Sequence, residues 1–293
     1  MLALNQHTDA PILIIFGQSN AHGHKTRLPH GQRIMQPLRN VYGLGRDQNQ
    51  AYDLADVTWS GFMSFGMNLG EKQDHTCCLA TEFARRWQQH VDAGNALELP
   101  DLYVIQISIG GQGIAAAEKF GNMWYPGRER ILVPGRLFQV DISLYPLAVQ
   151  ILEKALANLR NAGKNPMVIG LHWNQWETEV DTGGSAILDA RENYTNLFAG
   201  FRQAVGHDFV ICLYRPLSDV YQNPRGFDAI TRIFADFAKD PEHFHMMDLS
   251  RSSLYDEKRP DKGIFQSDLV HYHCAAQKWF ADYYFDLLFK TDE

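Results

Sequence analysis

Apolar positions along the chain follow two rhythms. Short unbroken runs occur at ILIIF (12–16), LYVIQIS (102–108), MVIGLHW (167–173) and FVICLY (209–214). They are too short for helices and rich in β-branched residues, which predicts strands buried on both faces. NVYGL (40–44) is a weaker strand of the same kind. The intervals carry apolar residues at three- and four-residue steps instead. In CCLATEFARRWQQHV (77–91), Leu79, Phe83 and Trp87 share a face. In YPLAVQILEKALANLRNAG (145–163), Leu147, Ile151, Ala155 and Leu159 do so ahead of a glycine stop. ARENYTNLFAGFRQAVG (190–206), FDAITRIFADFA (227–238) and CAAQKWFADYYFDLLF (274–289) repeat the helical rhythm. Strands alternating with helices predict an α/β domain with a mainly parallel sheet.

Two connections, at about 45–76 and 110–143, are long for an ordered domain and rich in Gly, Trp, Tyr, Phe and Met. Such loops either cover a site or fold back on the surface. No repeat, low-complexity tract or Pro/Ser linker interrupts the chain, so one domain over 1–293 is expected.

Composition narrows the function classes. The chain is 293 residues long, 45% apolar and 21% charged, ordinary values for a soluble globular protein. A formal net charge of -7 argues against nucleic acid as the main partner, because phosphate binding needs a basic face. Apolar runs fall far short of the roughly 20 residues of a spanning helix. The amino terminus, MLALNQHTDAP, has no basic region followed by an apolar one, so no signal peptide is read there and the cytoplasm is the expected compartment. Cys77, Cys78, Cys212 and Cys274 form no C-x-x-C pair, and all four are expected to be free, mostly buried thiols.

Polar residues gather where the strands end. Gly17-Gln18-Ser19-Asn20 follows the first, Gly110-Gly111-Gln112-Gly113 follows LYVIQIS, and Trp173-Asn174-Gln175-Trp176-Glu177 closes MVIGLHW. SDLVHYH, with Asp268 and His271 three apart, is read as a further strand end. In parallel sheets ligands bind beyond these carboxyl ends. The set supplies what acyl transfer requires: a serine, a histidine to take its proton, a carboxylate to orient the histidine, and close-approaching glycine backbone with a side-chain amide for the oxyanion. Taken singly, each piece also reads as a turn or a helix cap. The serine is not in a G-x-S-x-G elbow, and no phosphate-binding G-x-x-x-x-G-K-[ST] loop occurs.

On these residues the chain resembles the SGNH (GDSL-like) hydrolase superfamily, and within it carbohydrate esterases similar to sialate O-acetylesterase. The family's G-Q-S-N block is matched at Gly17 to Asn20, its glycine pair at Ile109-Gly110-Gly111, its W-x-Q-G-E block at Trp173, Gln175 and Glu177, and its D-x-x-H block at Asp268 and His271. The resemblance implies a three-layer α/β/α sandwich with a flavodoxin-like five-stranded sheet. It implies Ser19 as nucleophile, His271 as base and then acid, and Asp268 as its orienter. The oxyanion hole would come from the Ser19 and Gly110 backbone and the Gln175 amide. Gln18, Asn20, Gly111, Trp176 and Glu177 would support the site or touch substrate. No cofactor or metal is implied. The substrate would be a small-molecule or polymeric O-acetylated sugar, with no nucleic acid or membrane partner.

The family's glycine after the glutamine is Trp176 here. An indole at that place narrows the acyl pocket, stacks on a sugar, or displaces Gln175. Two rival readings stand beside this one: a lipid or thioester hydrolase of the same superfamily, and, motivated by Trp176, a sugar-binding protein without catalysis. His22, His24, His30, His243 and His245 lack convergent metal-ligand spacing, and His273 lacks the carboxylate partner of His271. Arg128, Arg130 and Arg136 either bind a carboxylate or are solvated, the second being the favoured reading, and Trp59, Phe62, Phe65, Trp124 and Tyr125 are sugar-stacking or loop-packing residues.

Overall fold

The run ILIIF lies inside a nine-residue strand, β1 (Asp9–Gly17), buried from end to end. In the computed structural model, which describes residues 2–24, 26, 36–44, 61–66, 77–94, 98–115, 124–127, 143–217, 222–256, 259 and 263–289, β1 is the centre of the sheet. It is followed by α1 (Ser19–His22), β2 (Val41–Leu44), β3 (Phe62–Ser64), α2 (Leu79–Asp92), β4 (Leu102–Ser108) and α3 (Leu144–Asn161). Then come β5 (Asn165–Asn174), α4 (Glu177–Thr182), α5 (Ser185–Leu188), α6 (Ala190–Val205), β6 (Ile211–Tyr214), α7 (Pro224–Phe237), β7 (Phe244–Met247) and α8 (Cys274–Phe289). The spatial order is β3-β2-β4-β1-β5-β6-β7, parallel except for the β2–β3 pair.

Both faces of β1 are covered, which is why its sequence is continuously apolar rather than alternating. Ile12, Ile14 and Phe16 join one apolar cluster with the inner faces of α3, α6 and α7. Leu13 and Ile15 join the other, with α2 and α8. Fully burying each such side chain contributes about 1.5–3 kcal/mol, so the strand that carries the serine turn is firmly seated.

The five strands β4-β1-β5-β6-β7 have the flavodoxin-like order, and β2 with antiparallel β3 extends the sheet beyond β4 to seven strands. The expected five therefore becomes seven. Both unexpected strands are short and half-buried edges, FMS and FHMM, where neither alternation nor a continuous apolar run develops. A second correction concerns SDLVHYH. It is no strand end but a loop between a single 3-10 turn (Leu249–Arg251) and α8, pinned by one β-bridge, Phe265 to Tyr272.

The cysteine expectation is also overturned in part. Cys78 and Cys212 are free and buried, but Cys77 and Cys274 form a disulfide across 197 residues of sequence. They meet because α2 packs along α8 with the two helix starts together: the Leu79 N–H, unsatisfied within its own helix, donates to Gln277 Oε1 at 3.1 Å. Their Cα atoms are 5.4 Å apart, within the range a disulfide spans.

Candidate active site

The serine turn is made by Gly17. Its φ is +143°, and a Cβ there would stand 2.2 Å from the Asn174 carbonyl oxygen on the neighbouring strand, so only glycine fits. The Asn174 oxygen accepts from the Gln18 N–H at 3.1 Å instead. Ser19 then opens α1, which ends within one turn at Gly23 in the left-handed conformation. On the other side of β1, the chain leaving β4 brings Gly110 against the serine: a Cβ on Gly110 would lie 3.6 Å from Ser19 Cβ. Gly111 follows with φ +71°, letting the chain turn away.

Two long-range joints hold this turn. Glu177, at the start of α4, is buried and accepts from Gln18 Nε2 at 2.8 Å, from Asn20 Nδ2 at 2.8 Å and from its neighbour's Trp176 N–H at 3.0 Å. Burial pushes its carboxyl up from the ordinary glutamate value, against the pull of these donors. Thr178 donates to Gln18 Oε1 at 2.8 Å. The second joint is Asn20. Its Nδ2 donates to the Val270 carbonyl at 3.1 Å, its Oδ1 accepts the Tyr272 N–H at 3.0 Å, and its own carbonyl accepts from Gln277 Nε2 at 2.9 Å. The residue after Ser19 thus grips both neighbours of His271.

Asp268 and His271 pair through Oδ2 and Nδ1 at 2.8 Å. The other carboxylate oxygen accepts the backbone N–H groups of Val270 at 3.1 Å and His271 at 3.0 Å. The turn is tight enough to place Leu269 at φ +58°. Burial pushes the Asp268 carboxyl up, but the hydrogen bonds from the His271 backbone and ring and from Val270 outweigh it and hold it well below the usual carboxylate range. With Nδ1–H donated to Asp268, a neutral His271 presents Nε2 as its proton acceptor. The His24 ring lies 4.6 Å from the His271 ring. His22 is buried, and desolvation, with its neighbours His24 and His271, lowers it to about 3, so it stays neutral at working pH.

Gln175 is fully buried with its amide engaged: Nε2 donates to Glu179 Oε2, and Oε1 accepts from the Tyr194 hydroxyl at 3.3 Å. One amide N–H of Gln175 remains for another acceptor. Trp176 has φ -166°, extended backbone open to any residue, and its 2%-exposed indole meets Phe227 edge-on at 5.7 Å. The indole therefore fills core rather than a sugar face. Trp124 is likewise packed, between Phe16 and Trp173, with Nε1 donating to the Gly17 carbonyl at 3.2 Å. Phe65 is fully buried, and Phe62 packs on Tyr103 at 4.8 Å. His243 pairs with Asp240 and His245 with Tyr283, outside the serine turn. His30, Trp59, Arg128, Arg130 and Arg136, with most of the two long loops, lie outside the described residues.

Sequence reading missed Glu179. It is buried, and its Oε1 accepts the Ile114 N–H at 2.7 Å across 65 residues of sequence. The sequence signal was a second acid two positions after Glu177 in the segment that closes MVIGLHW. Among the described residues one group of metal-ligating type gathers, Cys77, Glu82 and Cys274, and its two sulfurs are bonded to each other.

No protein-family model and no curated protein matches the sequence. Solved structures do. The structure of NanS superposes with a TM-score of 0.60 at 14% identity, over 97% of this chain and 99% of that one. A protein from Arabidopsis thaliana superposes with a TM-score of 0.57 at 15% identity, over 95% and 99% of the two chains. This is the SGNH-hydrolase fold. In the SGNH fold of this chain, the G-Q-S-N turn, the glycine turn and the W-x-Q-x-E segment leave three adjacent strands, β1, β4 and β5, at one edge. The D-x-x-H loop reaches the same edge through Asn20. No described helix is long and apolar enough to cross a membrane.

Proposed function

We propose that the protein is a serine esterase that removes small acyl groups, acetyl foremost, from a carbohydrate. The observation that carries the reading is the Asp268–His271 pair held, through the Asn20 side chain, against the turn bearing Ser19. Two parts of the chain about 250 residues apart are hydrogen-bonded where a nucleophile and its base would have to meet.

Ser19 Oγ attacks the ester carbonyl carbon as His271 Nε2 takes its proton. Asp268 holds the ring in the required tautomer and stabilises the imidazolium. The oxyanion is received by the Ser19 and Gly110 N–H groups and the remaining Gln175 amide N–H. His271 returns the proton to the leaving sugar hydroxyl, and the acyl-serine remains. Water, deprotonated by His271, attacks that ester, and His271 returns the proton to Ser19 Oγ as the carboxylic acid leaves. Every proton is accounted for by the three side chains, without a cofactor.

The buried position of Trp176 weakens the reading of a sugar-binding protein without catalysis, since that residue motivated it. The lipid or thioester alternative differs in acyl length. Ser19→Ala should abolish p-nitrophenyl acetate turnover with an unchanged melting temperature. Turnover by the wild type should fall as the acyl chain lengthens, and acetate should be released from an O-acetylated sugar. Full activity in Ser19→Ala rejects the mechanism, and a preference for chains of eight carbons or more rejects the substrate class.

A further inference from the structure

The proposed mechanism gives Glu179 no part, yet this acid is 1% exposed and joins two of the motif loops. Its Oε2 accepts from the Gln175 amide, and its Oε1 accepts the Ile114 N–H at 2.7 Å. Gly113 is pressed so close that a Cβ there would stand 2.6 Å from Glu179 Oε1 and 2.9 Å from Thr178 Cγ2. The glycine turn that begins at Gly110 is therefore moulded onto this carboxylate. Tyr194 completes the arrangement by donating to the opposite end of the Gln175 amide. Resting on the esterase reading above, we propose that Glu179 is the positioning residue of the oxyanion hole: one side chain fixes the Gln175 amide with its nitrogen as donor and holds the Gly110–Gly113 turn beside it.

The chemistry of the pair makes the role sensitive to protonation. The Ile114 N–H requires an acceptor at Oε1, so a proton on Glu179 sits on Oε2, where it meets the Gln175 N–H. The amide must then turn over and present Oε1, which moves the donor. Burial pushes Glu179 up to about 7, against the backbone and Gln175 hydrogen bonds, so this event falls in the working range. The titratable group facing it is Tyr194 on α6, which also interacts with Glu177, and among the described residues no ion pair reaches it. Activity then needs Glu179 deprotonated, and its protonation adds an ionisation to the acid limb of kcat.

Steady-state kinetics with p-nitrophenyl acetate test this in the full chain. Glu179→Gln should lower kcat about 10- to 100-fold and leave KM within about twofold. It should also remove one ionisation from the acid limb. In a Gln175→Ala background the same change should cost less than about twofold, because the two act through one donor. An inactive Ser19→Ala is the control for the esterase reading: turnover retained there defeats that reading first. With Ser19→Ala inactive, an unchanged kcat in Glu179→Gln, or an equal loss with and without Gln175, overturns the proposal. Should Glu179→Gln fail to fold by circular dichroism, wild type is compared with Gln175→Ala alone. Loss of one ionisation in that variant supports the proposal, and the same number in both overturns it.

Discussion

At the scale of single residues, the proposed site is organised by amides and acids to which the mechanism gives no chemical step. Asn20 has its side-chain oxygen and nitrogen and its backbone carbonyl committed to the segment around His271 and to α8. Glu177 in turn holds Asn20 and Gln18. A buried carboxylate with so many donors is tolerated because each hydrogen bond offsets part of its desolvation. Asp268 is hydrogen-bonded to His271 directly, and its replacement isolates the orienting role proposed for it. Asp268→Asn should keep the fold and lower kcat about 10²- to 10⁴-fold, because the amide cannot enforce the Nδ1–H tautomer. The Asp268 carboxyl is depressed on folding, so its stabilisation is present above the ordinary aspartate pKa and lost as pH falls through the lower folded value. Melting curves of wild type and Asp268→Asn should accordingly differ at neutral pH and begin to converge only as pH falls below about 4. Equal kcat values would remove Asp268 from the site.

Residue-scale chemistry was legible where it was local. G-Q-S-N lies within one turn, and Asp268 and His271 are three apart, so their pairing needs no long-range knowledge of the fold. Glu179 was not legible, because its meaning depends on Ile114 and Gly113, which the fold supplies from β4's far end. Trp176 misled for a related reason. The sequence showed an indole in a motif, and only the position of α7 decides that its ring meets Phe227 rather than a ligand.

At the scale of elements, the internal strands and the longer helices were readable, and the edges were not. β1, β4 and β5 are long and buried on both faces, so their composition declares them. β3 and β7 have three and four residues and are half-buried, too little for a pattern to emerge. The cystine was hidden for a different reason: pairing two cysteines 197 residues apart requires knowing that α2 lies along α8. It ties the helix that begins just after the His271 loop to the opposite helix of the same face. Such bonds persist in oxidising compartments rather than in the reducing cytoplasm, which weighs against the cytoplasmic expectation. Thiol titration of denatured protein should find two thiols, Cys78 and Cys212, without reductant, and four after reduction. Reduction should lower stability by about 2–4 kcal/mol. Four thiols without reductant would contradict the pairing.

At the scale of the whole molecule, the parallel sheet explains why the residues of the proposed site come together. Parallel strands send their carboxyl ends to one edge, and here three neighbouring strands end there in polar turns while both faces are closed by apolar clusters. The fold therefore delivers the serine turn, the glycine turn and the Gln175 segment together, and the loop carrying His271 is added by side-chain hydrogen bonds rather than by a strand. The account's central claim is that Ser19 is a nucleophile activated by His271. The most direct measurement is mass spectrometric mapping after exposure to a reactive phosphonate, with His271→Ala treated in parallel. The account predicts a single stoichiometric adduct on the peptide carrying Ser19 in the wild type and little or none in His271→Ala. An adduct on a different residue, or none in folded wild-type protein, would contradict it.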